Sequence, residues 1–332
     1  MADCVQLAYE YPWFAFTQGT AAPCIALRNH PTAYNAILNQ CTTLSCTRRF
    51  LDGFTTPQVG VPRLGIYSLP CIERYGVSNR FTHQQSREII KQMLDEGFYI
   101  YFNGVDDYFL PGKSWYGIRH MWHDGILCGY DDNDGSYSIA AYDSDWVFRL
   151  IRLPQDCFRE GLLSGISQKW YGNLTAYRVK PDEVKLDERQ MLRYLKAHVD
   201  ADMDHFPLTE QGNVEGIAVQ GFLALYIGKL MDGSIPADKM DWRVLRPVWE
   251  HKKCMLDRLI VLEGLHGWEP EFSSRYRPLV DAANRNRMLY AVYHRNHRPE
   301  LLGKIRQVLT DGKEQEGELL RELIRKTEEE RR

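Results

Sequence analysis

His123 and Asp143 stand at the two ends of a stretch in which apolar runs, Ile126 to Tyr130 and Tyr137 to Tyr142, flank the cluster Asp132-Asn133-Asp134-Gly135. Such a pattern predicts a β-hairpin with a tight turn that tolerates positive φ at residues 133–135. Antiparallel strands of similar length bring the start of one beside the end of the other. His123 and Asp143 are therefore expected as neighbours at one rim of a sheet. A carboxylate that accepts from one ring nitrogen fixes the tautomer and leaves the other nitrogen as a general base, the arrangement that activates a Ser or Cys nucleophile. An ordinary surface hydrogen bond between His and Asp leaves the same trace, so the surrounding elements must decide.

Those elements read as an α+β protein. Gln84 to Glu96 is amphipathic, with Ile89, Ile90, Met93 and Leu94 on one side and Gly97 as its stop, and Phe98 to Phe102 then reads as a buried strand leading to the site. Between that strand and His123 runs a long loop, 103–121, containing Asp106-Asp107-Tyr108 and Pro111-Gly112. Loops of this length in compact domains are often functional, which makes Tyr108, Trp115 and Tyr116 candidate substrate contacts. Residues 5–27 suit irregular structure and a first strand, and Asn29 to Thr32 signal a helix start, with Thr32 as cap and an apolar stripe through Ala33, Tyr34, Ile37 and Leu38 to Cys41. The Gly and Pro residues of 50–82, among them Gly53, Pro57 and Gly76, read as loops with short strands. A strand over 146–151 and a short helix from Pro154 follow. From Pro181 onward apolar residues recur at three- and four-residue spacing over 188–199, 214–231, 242–262, 276–295 and 299–325, which predicts a helical bundle. The expected division is an α+β domain with a central antiparallel sheet, 1–180, and a helical domain, 181–332.

The run His-Asp-x-Ile-Leu-x-Gly-Tyr-Asp-Asp from His123, closed by Tyr142-Asp143, resembles the His/Asp half of papain-like cysteine enzymes. More specifically it is similar to the N-terminal domain of the butirosin-biosynthesis acyltransferase family, found with antibiotic and non-ribosomal peptide pathways. The Tyr-x-x-Pro-Gly run at Tyr108 to Gly112 points the same way. The resemblance implies a papain-like fold and transfer of an acyl or aminoacyl group from an acyl or peptidyl carrier protein to a small-molecule amine. A cysteine hydrolase or peptidase would use the same parts with water as acceptor. In that family a His-Cys pair opens the nucleophile helix; this chain has Asn29-His30-Pro31-Thr32. Cys41 is then placed ahead of Cys24 and Cys46 as the nucleophile, and a papain-like scaffold without a nucleophile, binding a carrier protein or peptide, stays open as the non-catalytic alternative.

Composition sets the outer bounds. The 332 residues are 44% hydrophobic and 26% charged with a formal net charge of −3, so no basic field argues for nucleic acid. No apolar run approaches the ~20 residues of a membrane helix, and Met1-Ala2-Asp3-Cys4 is not the start of a basic-then-apolar leader. A cytoplasmic location is expected. The eight cysteines are scattered without a Cys-x-x-Cys pair, which favours buried reduced thiols over zinc or disulfides. No cofactor is expected: Gly216, Gly221 and Gly228 read as helix packing and form no dinucleotide fingerprint. In 248–258, Trp249, Met255, Leu256 and Leu259 read as a buried face, with Glu250, Lys252, Lys253 and Asp257 on a solvated one. Faces such as 214–231 leave packing within the chain and a homodimer both open.

Overall fold

The computed structural model describes residues 3–48, 56–77, 83–170, 173–201, 212–237 and 240–331. It is an α+β protein whose strand pairings are all antiparallel among the described residues. Gly53, in the stretch expected to be loop, lies outside the described residues. The chain divides into two units: Met1–Tyr34 with Leu64–Val184, and Asn35–Arg63 with Lys185–Arg332. The contiguous division at 180/181 is thus corrected, since Asn35–Arg63 belongs with the helical unit. Among the described residues no helix is long and apolar enough to cross a membrane.

The first unit is built on a seven-stranded sheet. Strands β4 (Ile72–Val77), β9 (Asn173–Val179), β5 (Tyr99–Asp106), β6 (Trp122–Asp131), β7 (Ser136–Tyr142) and β8 (Phe148–Pro154) follow one another in that order, with β1 (Cys4–Gln6) also paired to β6. One face is covered by α3 (His83–Asp95) and α4 (Gln155–Ser167). There Ile90 and Leu94 of α3 and Phe158 and Leu162 of α4 pack with Ile100, Phe102, Leu127 and Ile139 of the strands. The other face receives α1 (Gln18–Arg28), which contacts β5, β6 and β9. The tyrosines of that side reach the helix entry: Tyr177 donates to the carbonyl of Ala22 at 2.9 Å, and Tyr142 to that of Ala15.

Helix α1 replaces the irregular structure expected before residue 27. Thr17 caps it, its hydroxyl accepting from the Thr20 amide at 3.2 Å while the Thr20 hydroxyl accepts from the Thr17 amide at 3.3 Å. Reciprocal bonding of this kind satisfies two of the amides that a helix start leaves without partners. The run Ala21 to Leu27 is apolar all round and buried, so it lacks the amphipathic period that marks a surface helix. Asn29 closes α1, its amide bonding to the carbonyls of Ala26 and Leu27. Thr32 lies two residues before the following helix, and its hydroxyl accepts from the Val184 amide at 2.9 Å.

The second unit contains α2 (Tyr34–Gln40) for all but its first residue, a small sheet of β10 (Asn213–Glu215), β2 (Ser45–Thr47) and β3 (Val59–Gly60), and five helices: α5 (Glu188–Val199), α6 (Ala218–Met231), α7 (Arg246–His266), α8 (Glu271–Asn296) and α9 (Pro299–Glu330). Helices α5, α6 and α8 all pack on α9, and α7 packs on α8. Pro247 lies in the first turn of α7, where a missing N–H costs nothing, so it starts the helix rather than kinking it.

The solvated face expected on α7 is corrected too. Glu250 and Lys252 are buried: Glu250 accepts from Arg246 at 2.8 Å, and the Lys252 ammonium donates to Glu316 of α9 at 2.7 Å. Burial of charge is tolerable only with such partners. Arg258, fully buried, donates to the carbonyls of Leu38 at 2.7 Å and Ile37 at 3.1 Å in the last turn of α2, the second of which also accepts from the Cys41 amide at 2.9 Å.

Candidate functional site

The predicted hairpin is present, with Gly135 in the left-handed region at φ 65°. Its ladder, however, ends at Ile126 opposite Ala140. Continued at the same register it would set His123 opposite Asp143, but the strands part before they reach those residues. Asp143 is spent on its own loop: one carboxylate oxygen accepts from the amides of Asp145 and Val147, both at 2.9 Å, and the other takes the Arg149 guanidinium. Burial alone would raise its pKa, yet these hydrogen bonds hold it below the usual carboxylate range. The His123–Asp143 pair is therefore corrected.

His123 instead pairs backwards, across β5. Strand β6 begins beside the end of β5, with His123 opposite Val105 and Trp122 opposite Asp106. The chain leaves β5 through a single 3-10 turn, Asp107–Phe109, which Asp106 caps by accepting from the Tyr108 amide at 3.1 Å. That turn delivers the Asp107 carboxylate to Nδ1 of His123. The Asp107 side chain is 1% exposed and the imidazole 28%. No described residue bonds to Nε2. The arrangement is the one expected of a general base, with a different carboxylate as its orienter.

Behind the pair lies Lys113, 5% exposed, donating to the carbonyl of Tyr142 at 2.7 Å and standing 3.9 Å from Oδ1 of Asp107. That oxygen has no hydrogen-bond partner among the described residues, and the ammonium is the charge beside it. Burial pulls the Lys113 pKa down against the opposing effect of Asp107, Asp124 and Asp143. Next along β6, Asp124 accepts from the Tyr101 hydroxyl at 2.6 Å, and burial raises the pKa of both groups. The first turn of α1 runs against this pair: a Cβ on Gly19 would lie 3.5 Å from the Tyr101 oxygen and 3.8 Å from an Asp124 oxygen.

A second histidine pairs the same way. His120 Nδ1 lies 2.7 Å from Asp106, whose buried carboxylate also accepts from Ser164 at 2.6 Å and from the Met121 amide at 3.2 Å. Burial would raise the Asp106 pKa, but these donors bring it below the usual value. The imidazole stacks on Tyr108 with ring centroids 4.5 Å apart.

Of the predicted site residues, His123 lies at the start of β6 and Tyr108 in the 3-10 turn, with Trp115 and Tyr116 on the loop between them, Tyr116 49% exposed and Trp115 with the Arg119 guanidinium 5.7 Å from its ring. Cys41 is not among them. It belongs to the second unit and is wholly buried, as are Cys24 within α1 and Cys46 within β2, where burial pushes the thiol up. A buried thiol is held from the thiolate form a nucleophile needs. The first turn of α1 carries Thr17, Gln18, Gly19 and Thr20 and no cysteine.

No family model matches the chain, and no curated protein matches it. Among the described residues no three His, Cys, Asp or Glu side chains are grouped to hold a metal ion. The residues that the sequence reading missed are Asp107, Lys113, His120 and Asp124. Two of them had a signal, since Asp106-Asp107 and His120-x-x-His123 are adjacent acids and spaced imidazoles at the two ends of one loop.

Proposed function

We propose that the chain is an acyltransferase of the kind its resemblance to the butirosin-type family implies, a variant papain-like enzyme that has dispensed with the cysteine. The observation that carries this reading is the imidazole of His123, held at Nδ1 by a buried carboxylate, with Nε2 left without a partner among the described residues and the ring open to solvent. In the proposed reaction His123 Nε2 takes a proton from an amine as its nitrogen attacks the carbonyl carbon of a carrier-protein thioester. The tetrahedral intermediate collapses, the C–S bond breaks, and the imidazolium returns the proton to the departing thiolate. The acyl group passes directly to the amine, and water in place of the amine makes the same site a hydrolase. A peptide- or aminoglycoside-type antibiotic pathway is the setting that the resemblance suggests.

The test is release of free thiol from an acyl-pantetheine or acyl-carrier thioester in the presence of an amine panel. His123→Ala and Asp107→Asn should each lower turnover by at least ~10²-fold. Unchanged turnover in folded variants removes the proposal, and an acyl adduct on a cysteine in the intact mass removes its direct-transfer form. The second reading, a scaffold that binds a carrier protein or peptide without chemistry, is favoured by one observation: Thr17 and Thr20 spend their hydroxyls on each other at the start of α1. Saturable binding of the carrier with no thiol release would select it.

A further inference from the structure

The face of the sheet opposite α1 holds a cavity of about 70 Å³ where α3 and α4 begin. At the scale on which roughly 10–15 Å³ holds one water, it has room for about five such groups. Its floor is apolar, made by Ile90, Phe158 and Leu162, and its margin is polar, with Arg87 and Arg159 beside Ser86, Gln155 and Asp156. Into it opens the side chain of Tyr137, a β7 residue only 2% exposed. The ring is packed edge-on against Phe158 at 5.5 Å, but its hydroxyl has no hydrogen-bond partner among the described residues. The oxygen still reaches the solvent of the cavity, where an acceptor on a ligand would take the place of water. Burial also raises its pKa, so it stays protonated and serves as a donor.

The electrostatic setting favours an acceptor with negative charge. Helix α4 starts without a side-chain cap, its first amide, that of Gln155, bonding to the Gly135 carbonyl at 2.8 Å, and Ser86 and Arg87 lie about one turn into α3. The start of α4 at the cavity adds partial positive charge. The formal charges around it otherwise offset one another: Arg87 pairs with Asp132 at 3.1 Å, Lys91 also meets Asp132, and Arg159 pairs with Asp156 at 2.5 Å and Glu160 at 2.9 Å.

We infer that this cavity binds a small carboxylate with a short apolar tail, one oxygen accepting from the Tyr137 hydroxyl and the tail lying on Ile90, Phe158 and Leu162. The site is separate from His123 and stands whether or not the proposed activity holds. Calorimetric titration of the whole chain with butyrate, inorganic phosphate and butanol at matched ionic strength tests it. Saturable heat with butyrate and none with the other two is expected. Tyr137→Phe, which keeps the ring and removes only the hydroxyl, should weaken butyrate binding by tenfold or more, and the exposed Arg87→Gln by less. Absence of butyrate binding, equal binding of butanol, preference for phosphate, or undiminished affinity in a folded Tyr137→Phe protein would each overturn the assignment.

Discussion

Asp107 gives His123 its usefulness because it is the more deeply buried partner: a carboxylate that water does not reach holds one ring nitrogen in a single role and leaves the other to face outward. Asp143 has no such relation to the ring, since its oxygens serve a loop and Arg149. The two acids should therefore separate in a mutational test. Asp107→Asn is expected to abolish most turnover, whereas Asp143→Asn should leave kcat within a few-fold and show itself as a lower melting temperature. Equal loss of kcat in both variants would restore the partnership read from the hairpin. A carboxylate beside His123 was legible from residue types and turn chemistry, but the one that the structure sets there is Asp107. Asp143 was expected because register was carried past Ile126 and Ala140, where the ladder stops, and no pattern in the sequence marks the end of a ladder. Asp107 was in view as part of an acidic run, but its role depends on a 3-10 turn too short to have a period.

Helix periodicity made α3, α5 and α9 legible, since each carries an apolar stripe against polar surroundings. Helix α1 was lost for the opposite reason: its run from Ala21 to Leu27 is buried on every side, and Pro23 within it reads as a breaker. What starts α1 is the pair Thr17 and Thr20. Thr17→Ala removes the hydroxyl that accepts from the Thr20 amide and is expected to cost about 1 kcal/mol, measured as a shift of the urea midpoint with the slope unchanged. A neutral result would mean that packing of α1 on the sheet alone sets its first turn. In α7 the same periodic reasoning marked Met255 and Leu259 as buried but put Glu250 and Lys252 in water, because charge is the ordinary sign of a wet face. Their partners Arg246 and Glu316 lie one turn away and on another helix, and only the second unit's packing shows that the face is covered.

At the scale of the whole chain the second unit holds a buried polar group that ties stability to pH. Glu316 accepts from Lys252 at 2.7 Å, from Gln220 at 2.5 Å and from Tyr276, with Arg258 close by. His198, with no hydrogen bond at either ring nitrogen among the described residues and 3.9 Å from Glu316, lies 5.1 Å from the ring of His251, which meets the Thr42 carbonyl at 2.6 Å. Burial brings the pKa of His198 down to about 4 and that of His251 to about 3, and burial opposed by Lys252 and both histidines leaves Glu316 at about 2. Below about pH 6.5 the unfolded chain binds protons on the histidines that the folded chain refuses, so stability falls as pH drops toward 4, by an amount on the order of a few kcal/mol. Glu316 acts in the same sense lower down, its contribution present above 4.5 and lost as pH falls through about 2. Urea midpoints taken from pH 7 to pH 4.5 should decline, and a flat profile would contradict the burial of neutral imidazoles. The divided second unit carries its own expectation. A fragment of residues 185–332 lacks the β2 partner of β10 and the carbonyls that receive Arg258 and His251, so it should show a lower urea midpoint than the same fragment mixed with the peptide 35–63. Equal midpoints would mean that the early segment is dispensable. The split also imposes a schedule on synthesis. Residues 35–63 leave the ribosome long before their partners beyond residue 185 exist, an interval of about ten to thirty seconds at ordinary elongation rates. Through that time a fully apolar stretch such as Ala36 to Leu38 waits uncovered, which makes this early piece the natural point for a chaperone to hold the newborn polypeptide.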